Sequence, residues 1–345
     1  MKRIKYFDST LRDGSHAVKQ QITSGNIEGY CKVIDNAGMH TVIVGHGNGI
    51  GASSVQMGLC AMDEIEMLRI AKKNLKKTQL GTFVTVGFGT INNEIRRAIE
   101  VETDIFCIAT HCTEADTMRK YISYLIARGK ECYGVLMNIH LSTPEKILNE
   151  AKKVQSYGAD GIILMDSAGA STPEFVERTI SLLVNKLQMD VGFHPHNNMG
   201  MAVSNAYTAI KCGAGIIDGT IGGFGAGAGN CQLDALDALL KSEHIEIDTD
   251  LYSMLDAAEV IKNDFKYEKM IDGVSIISGY AGVVSTFKNR VLTISKDYHV
   301  DPRDVFIELG KRKAISGQDD LILEVVIKLS EGGGVDANAR RRLFG

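Results

Sequence analysis

Residues 161–218 read GIILMDSAGASTPEFVERTISLLVNKLQMDVGFHPHNNMGMAVSNAYTAIKCGAGIID. Short apolar runs at 161–165, 190–193 and 216–218 alternate here with amphipathic stretches at 173–185 and 200–212. Near-continuous apolar runs of this length are typical of parallel strands buried on both faces, and parallel strands need long crossovers between them. This part of the chain therefore predicts three parallel strands that are joined by two helices.

The same alternation extends back to the start of the chain. We predict strands at 4–7, 41–44, 80–84, 105–109, 132–137, 161–165, 190–193 and 216–218. We predict helices at 24–36, 63–73, 92–100, 115–128, 143–157, 173–185, 200–212 and 231–241. Eight such units favour an α/β fold in which residues 1–245 form a (β/α)8 TIM barrel. An open doubly wound sheet is the alternative, but such sheets usually stop at about five or six strands.

The chain changes character after the eighth unit. Helices are predicted at 251–263, 279–298, 302–311 and 319–329, with no further strand between them. We interpret 250–330 as a C-terminal helical domain that caps the barrel or contacts partners. Residues 331–345 contain three consecutive glycines and a basic run, so a disordered tail is predicted there.

Composition excludes several classes of protein. The formal net charge is −4, there is no tryptophan, and no basic stripe is present, which argues against nucleic-acid binding. No apolar run is long enough to span a membrane, and the first residues lack the apolar core of a signal peptide. The seven cysteines form no CxxC pair, and Cys31, Cys107 and Cys212 fall in apolar segments, as expected of reduced thiols. We therefore expect a cytoplasmic protein.

A metal site is predicted at the carboxyl ends of the strands, where barrel enzymes place their chemistry. His194 and His196 are two residues apart at the end of the seventh strand, so both imidazoles point to one face, and Pro195 fixes the backbone between them. Asp13 follows the first strand, which approaches the seventh across the rim. Two imidazoles and one carboxylate leave open positions, as in catalytic metal sites. Alternatively, the two histidines are hydrogen-bonded core residues.

The residues around this site indicate chemistry on a 2-oxo acid. Such an acid chelates a hard cation through its carboxylate and keto oxygen, and the cation acts as a Lewis acid. Arg12 adds a permanent positive charge where an enolate oxygen develops. His16 is the candidate base, since the unperturbed pKa of a histidine lies near neutrality. Alternatively, His16 is a loop histidine that only hydrogen-bonds the backbone.

Two glycine-rich segments need separate interpretations. Residues 222–230 contain a GxGxxA match, but they follow the eighth strand, whereas a dinucleotide fingerprint follows the first strand of its unit. We interpret this segment as an anion-binding or backbone-approach loop and expect no nicotinamide cofactor. Residues 46–54 are expected to wall the pocket.

Five motifs together resemble those of the 4-hydroxy-2-oxovalerate aldolases. The motifs are TLRDGSHA at 10–17, ATHCTEAD at 109–116, HPHNN at 194–198, GAGAGN at 225–230 and GYAGV at 279–283. This family belongs to a superfamily of metal-dependent barrels that includes 3-hydroxy-3-methylglutaryl-CoA lyase and 2-isopropylmalate synthase. The resemblance runs from about residue 4 to residue 330.

The resemblance implies an activity and the residues that perform it. The expected reaction is reversible retro-aldol cleavage of a 4-hydroxy-2-oxo acid to pyruvate and an aldehyde. By resemblance, Asp13, His194 and His196 hold Mn²⁺ or a similar ion such as Mg²⁺ or Co²⁺. Arg12 steadies the enolate, and His16 takes the proton from the 4-hydroxyl. Ser167 matches a residue near the pyruvate carboxylate, and Tyr280 one near the aldehyde.

The resemblance also implies partners. It predicts an acylating, NAD-dependent aldehyde dehydrogenase that receives the aldehyde through a channel, and a homo-oligomer is expected. The small-molecule partner is the 2-oxo acid itself.

The sequence departs from the family pattern at three places. Asn197 stands where the family usually has a histidine, and Asn48 stands where it usually has an aspartate. The segment after the third strand is usually leucine-rich and shapes the aldehyde pocket, but here it contains Phe83 and Thr85. We therefore hypothesise that acetaldehyde is not the preferred product.

Two other functions are compatible with this fold. An acyl-CoA lyase or Claisen-type synthase of the same superfamily would have a cysteine or a Glu-Arg pair in the late glycine loop, but residues 225–229 are GAGAG. A non-catalytic barrel subunit or scaffold would have no need for charged and metal-requiring groups at one rim.

Overall fold

A computed structural model describes residues 3–266 and 271–331. Eight parallel strands form a closed barrel in sequence order. The strands are β1 (Lys5–Asp8), β2 (Thr41–Ile43), β3 (Gln79–Thr85), β4 (Ile105–His111), β5 (Glu131–Met137), β6 (Gly161–Asp166), β7 (Asp190–Pro195) and β8 (Ile216–Gly219). Pairing of Phe7 with Asp218 and of Asp8 with Gly219 joins the last strand to the first. The predicted TIM barrel is confirmed.

Helices surround the barrel between successive strands. They are α1 (Ser24–Ile34), α2 (Glu64–Asn74), α3 (Arg96–Glu100), α4 (Arg119–Ile126), α5 (Pro144–Ser156), α6 (Pro173–Lys186), α7 (Ala202–Lys211) and α8 (Leu233–Ser242). Thr143 and Thr172 begin α5 and α6 in the same way, with a side-chain oxygen that accepts a backbone N–H and a proline at the next position. Threonine caps and first-turn prolines favour a helix start because they satisfy or remove unpaired N–H groups.

Five further helices follow the barrel among the described residues. They are α9 (Leu251–Asp264), α10 (Gly273–Ala281), α11 (Lys288–Asp297), α12 (Pro302–Lys311) and α13 (Asp320–Glu331). The single helix predicted at 279–298 is wrong. Gly282 adopts a left-handed conformation with φ of 69°, which ends α10, and a short turn at Ser285–Phe287 precedes α11.

Helices α10 to α13 have an apolar core of their own, which includes Phe287, Val305 and Phe306, whereas α9 packs into the core of the barrel. Polar contacts join them to the barrel. The carboxamide of Asn198, in the loop after β7, donates to the Ser275 carbonyl oxygen and accepts from the Ser285 hydroxyl at 2.9 Å. A nitrogen of His140, after β5, lies 2.9 Å from the Gly282 carbonyl oxygen. The division into two domains stays a prediction.

Other expectations from the sequence fall partly outside the structure. The tail predicted at 331–345 lies beyond the described residues, apart from Glu331, which ends α13. All seven cysteines are free thiols, and Cys212 is only half-buried rather than in the core. Within 3–266 and 271–331, no helix combines the length and apolarity that a membrane crossing requires.

Candidate active site

Three side chains converge where the sequence predicts a metal site. Asp13, His194 and His196 each offer a ligand atom, and these atoms lie within 4.8 Å of one another. All three residues are buried, and the two imidazole ring centres are 5.1 Å apart. Both ring nitrogens of His194 and Nδ1 of His196 have no hydrogen-bond partner among the described residues. Buried nitrogens without partners are costly unless a ligand satisfies them, so this donor set fits a divalent cation.

Asp13 is held as a carboxylate by its neighbours. Burial alone would raise its pKa, but the charge of Arg12 and the nearby histidines more than offset it, so the pKa lies well below its usual range. One Asp13 oxygen accepts from Arg12 at 2.7 Å, and the other accepts from the Asn230 amide at 2.7 Å. These two contacts fix the plane of the carboxylate toward the histidines.

Metal ligation requires a neutral imidazole, and the surroundings of His196 favour that form. Burial, together with the neighbouring His194 and Arg12, lowers the pKa of His196 to about 3 despite the opposing charge of Asp13. Nδ1 of His194 lies 3.0 Å from a carboxylate oxygen of Asp218, although the two are not aligned for a hydrogen bond. That carboxylate favours the tautomer with the proton on Nδ1, which leaves Nε2 of His194 free to ligate.

Arg12 is fixed on several sides. Its guanidinium donates to Asp13 and, at 3.2 Å, to the Ser9 hydroxyl. The guanidinium carbon lies 4.5 Å from the ring centre of Phe83, which is within the range of a cation–π contact. The Nε atom of Arg12 is buried without a partner among the residues described. Arg12 therefore retains an unused donor next to the metal ligands.

His16 lies beside Asp13 because residues Asp13–His16 form one 3-10 turn, in which residues three apart lie on one side. Burial lowers the pKa of the His16 imidazole. The charge of Asp13 raises this pKa, and the charge of Arg12 lowers it further. Gln20 approaches Nδ1 of His16 at 3.2 Å through its amide nitrogen, while its amide oxygen accepts from the Gly47 N–H at 3.0 Å. Because an amide NH2 can only donate, Nδ1 accepts, and neutral His16 carries its proton on Nε2.

Two glycines make these close approaches possible. A Cβ at Gly47 would lie 2.4 Å from Nε2 of His16, and a Cβ at Gly225 would lie 2.1 Å from the Asn230 amide nitrogen. Both glycine-rich segments therefore let the backbone approach the side chains of His16 and Asn230 closely. The segment at 46–54 walls the site as predicted, and Gly225 lines it from the late loop.

A cavity of about 70 Å³ adjoins the metal ligands. The residues that line it include Arg12, Asp13, His16, Gly47, Asn48, Phe83, Thr85, Met137, Asn138, Met165, Ser167, His196, Val284, Ser285, Thr286 and Ser316. A second cavity of about 320 Å³ shares His16, Ser285 and Thr286 with the first and includes Lys19 and Lys288 in its lining. Residues after α10 thus complete a pocket whose floor is the barrel.

Tyr280 is the predicted site residue that belongs neither to the lining of this cavity nor to the metal-ligand cluster. It lies on α10 with 64% of its surface exposed, and it is not among the lining residues. The other predicted residues, Arg12, Asp13, His16, Ser167 and the two histidines, lie together at the carboxyl ends of β1, β6 and β7.

Sequence reasoning missed several residues at the site. Gln20, Asn138, Asp218 and Asn230 each contact a predicted site residue or line the cavity. Asn197 and Asn198, which directly follow His196, bond to other parts of the chain. Asn197 accepts from the N–H of Ala202 at the start of α7, and Asn198 bonds to the C-terminal helices. Asp218, on β8, was identifiable as a lone acid within an apolar strand.

The barrel and the C-terminal helices each match a known protein family. Residues 3–261 match the HMGL-like family, and residues 269–331 match the DmpG-like communication domain. The 4-hydroxy-2-oxovalerate aldolase of Pectobacterium atrosepticum is 46% identical over 331 residues, which cover 96% of each chain. That of Spirochaeta aurantia is 45% identical over 94% of this chain and 96% of its own. The HMG-CoA lyase from Brucella melitensis, 14% identical, shares the fold with a TM-score of 0.65 over 77% of this chain and 100% of its own.

The fold and the family match together define a barrel protein of the HMGL-like class with a candidate metal site. Within that class, the chain belongs to the 4-hydroxy-2-oxovalerate aldolase family, as its identity to the full length of those relatives shows. The resemblance seen in the sequence motifs is thereby confirmed.

Proposed function

We propose that this protein cleaves a 4-hydroxy-2-oxo acid reversibly into pyruvate and an aldehyde, with 4-hydroxy-2-oxovalerate as the first substrate to test. The observation that supports this most directly is the convergence of Arg12, His16 and the candidate metal ligands on one cavity. Relatives over the full chain are named for this activity.

Asp13, His194 and His196 are the residues that would hold the metal, for which Mn²⁺, Mg²⁺ and Co²⁺ are the candidates. When bound, the divalent cation supplies Lewis-acid polarisation of the 2-oxo group. The neutral His196 and the ionised Asp13 fit this role, because ligands bind a metal in these protonation states.

Arg12 stabilises the negative charge that develops on the keto oxygen as the C3–C4 bond breaks. Its position is fixed by Asp13, Ser9 and the face of Phe83, so little reorganisation is needed during the reaction. A preorganised donor of this kind in a buried site contributes strongly to catalysis.

His16 removes the proton from the 4-hydroxyl. Proton uptake at Nε2 requires the tautomer that carries its other proton on Nδ1. In that tautomer the Gln20 carboxamide has to turn so that its oxygen accepts from Nδ1–H, and the Gly47 N–H then loses its acceptor. We therefore assign Gln20 a positioning role that couples the base to the loop that contains Gly47.

Ser167 and Tyr280 are proposed to contact the two ends of the substrate. The Ser167 hydroxyl lies in the cavity lining and would bind the carboxylate half. Tyr280 could act at the aldehyde end only after α10 moves, since its side chain is exposed in this structure. Phe83 and Thr85 line the aldehyde pocket in this proposal, and acetaldehyde is not the preferred product.

The match to a communication domain favours a partner protein. We propose an acylating aldehyde dehydrogenase that binds the C-terminal helices and receives the aldehyde, together with self-association of the aldolase. An exposed tyrosine and isoleucine one turn apart on α10, Tyr280 and Ile276, provide apolar surface for such a contact.

The proposal is tested by measuring pyruvate release from racemic 4-hydroxy-2-oxopentanoate before and after treatment with a chelator, and again after Mn²⁺ is returned. Pyruvate that appears, disappears with the chelator and returns with the metal supports the aldolase. Mn²⁺ binding without pyruvate release favours an acyl-CoA substrate instead. Absence of divalent-cation binding favours a scaffold. Turnover that ranks acetaldehyde above every longer or polar aldehyde contradicts the proposed product preference.

A further inference from the structure

Asn138 lines the cavity at the carboxyl end of β5 and has an unused polar group. Its backbone is left-handed, with φ of 58° and ψ of 39°, a conformation that few residues other than glycine, asparagine and aspartate adopt readily. The side chain is 5% exposed, and its Oδ1 atom is buried without a hydrogen-bond partner in the described ranges. A buried amide oxygen without a partner is unfavourable in the free protein, so this group is available to a bound molecule.

Asn138 is directly connected to Ser167. The backbone N–H of Asn138 donates to the Ser167 hydroxyl oxygen at 3.1 Å. That oxygen therefore acts as an acceptor toward Asn138, and the hydroxyl proton is left to point toward the cavity that both residues line. Residues directly after the neighbouring strands β5 and β6 thus place a hydroxyl donor and a carboxamide side by side.

No hydrogen bond to Oδ1 fixes which way the Asn138 carboxamide faces. Rotation of its terminal torsion exchanges the oxygen and the NH2 group without changing the shape of the side chain. In the second orientation the amide donates into the cavity next to the Ser167 hydroxyl. Two adjacent donors match the two oxygens of a carboxylate.

The distribution of charge favours a carboxylate that is bound by neutral donors. Among the residues that line this cavity, Arg12 has the cationic side chain. Asp13 and Ser9 hold its guanidinium on the β1 side. On the β5 and β6 side, the polar groups of the lining are those of Asn138 and Ser167.

We propose that the carboxamide of Asn138, together with the hydroxyl of Ser167, binds the C1 carboxylate of the 2-oxo acid and thereby selects pyruvate as the nucleophilic half of the reaction. This proposal rests on the proposed function and adds a substrate-binding residue to it. The left-handed backbone of Asn138 lies directly after β5, where the residue lines the cavity.

The test uses the full-length, Mn²⁺-loaded protein in the aldol direction, with pyruvate and an aldehyde varied independently. Asn138→Asp keeps the shape of the side chain and tolerates the left-handed backbone conformation, but it replaces the amide donor by a negative charge. Asn138→Gly removes the side chain and also tolerates positive φ. We expect the KM for pyruvate to rise roughly 10- to 100-fold in the glycine variant and further in the aspartate variant, while the KM for the aldehyde changes little.

Direct binding provides a second measurement. Calorimetric titration of each variant with pyruvate should show the same order of affinity, wild type, then glycine, then aspartate, and Mn²⁺ should bind all three equally. Equal pyruvate affinity in all three proteins would overturn the proposal, as would a change confined to the aldehyde KM, which would place Asn138 at the other half of the substrate. A wild-type protein that neither binds nor turns over pyruvate refutes the proposed function itself, a result distinct from both.

Discussion

The guanidinium carbon of Arg12 lies 4.5 Å from the centre of the Phe83 ring. Phe83 is buried on β3, Arg12 follows β1, and both side chains line the same cavity. An aromatic face next to a guanidinium stabilises its position by about 0.5 to 2 kcal/mol, more when water is excluded. The sequence indicated a role for Phe83 in the size of the aldehyde pocket, and the structure adds a role in holding Arg12.

Phe83→Leu should therefore slow enolisation as well as change the aldehyde preference. We expect the rate of hydrogen–deuterium exchange at the pyruvate methyl group to fall about 3- to 30-fold, a range that corresponds to the loss of such a contact. This exchange needs no aldehyde and so isolates the effect on Arg12. Phe83→Tyr keeps the aromatic face and serves as the control. Unchanged exchange in the leucine variant would restrict Phe83 to the aldehyde pocket.

Asn230→Ala should weaken metal binding without removing a ligand. Asn230 donates to Asp13 at 2.7 Å, and loss of partners that orient a ligand typically weakens metal affinity about 10- to 100-fold. The dissociation constant for Mn²⁺, measured by calorimetry, is the readout. The exposed residue Asn92 provides a matched control as Asn92→Ala. An Asn230 variant that binds Mn²⁺ as tightly as the wild type would show that Asp13 needs no such support.

The pH dependence of the reaction should follow His16. Burial lowers its pKa below the ordinary value of about 6.5, so the neutral, proton-accepting form dominates at pH 7. As pH falls through this lowered pKa, the imidazole becomes protonated, and kcat/KM should decrease about tenfold per pH unit. His16→Ala should have a low kcat/KM at every pH and should not show this acid limb, the decrease of kcat/KM toward low pH. A limb that persists in the alanine variant belongs to another group.

Gln20→Glu should move the acid limb of the kcat/KM profile to higher pH. The variant keeps an oxygen for the Gly47 N–H but places a negative charge beside Nδ1 of His16, about 3 Å away in the native geometry. Stabilisation of the imidazolium should raise the apparent pKa by about one unit or more. Gln20→Leu removes both hydrogen bonds without adding charge and should reduce kcat more than it shifts the pKa. If the limb of the glutamate variant stays in place, Gln20 does not act through His16.

The barrel was predictable because each of its parts has a local cause. A buried parallel strand has to be apolar along its whole length, so its sequence is recognisable by itself. A helix start is also a local signal, because Thr143 and Thr172 are each followed directly by the proline that begins the helix. The metal ligands were predictable for a similar reason. His194 and His196 share a strand face by the period of two, and Asp13 follows a strand whose end meets theirs.

The remaining site residues depend on distant contacts. Asn230 meets Asp13 across more than two hundred positions of sequence, and Asn138 has a function only in a fold that places it beside Ser167. Gly282 was equally inconspicuous, because one glycine within an apolar stretch is compatible with a continuing helix until its backbone conformation is known. The exposed position of Tyr280 follows from how α10 packs, which no local pattern of residues encodes.

His196 and Asn198, two residues apart in the loop after β7, contact different parts of the structure. His196 belongs to the candidate metal set, while Asn198 bonds to Ser278 and Ser285 in the C-terminal helices. His196 and Asn198 are joined by two peptide bonds, so the position of the candidate ligand and the anchorage of the C-terminal helices constrain each other. If an ion at His196 and a partner on these helices are coupled through this segment, each changes the affinity of the other by the same factor. Metal occupancy would then be measurable from outside the barrel, as a change in the affinity of the helices for their partner.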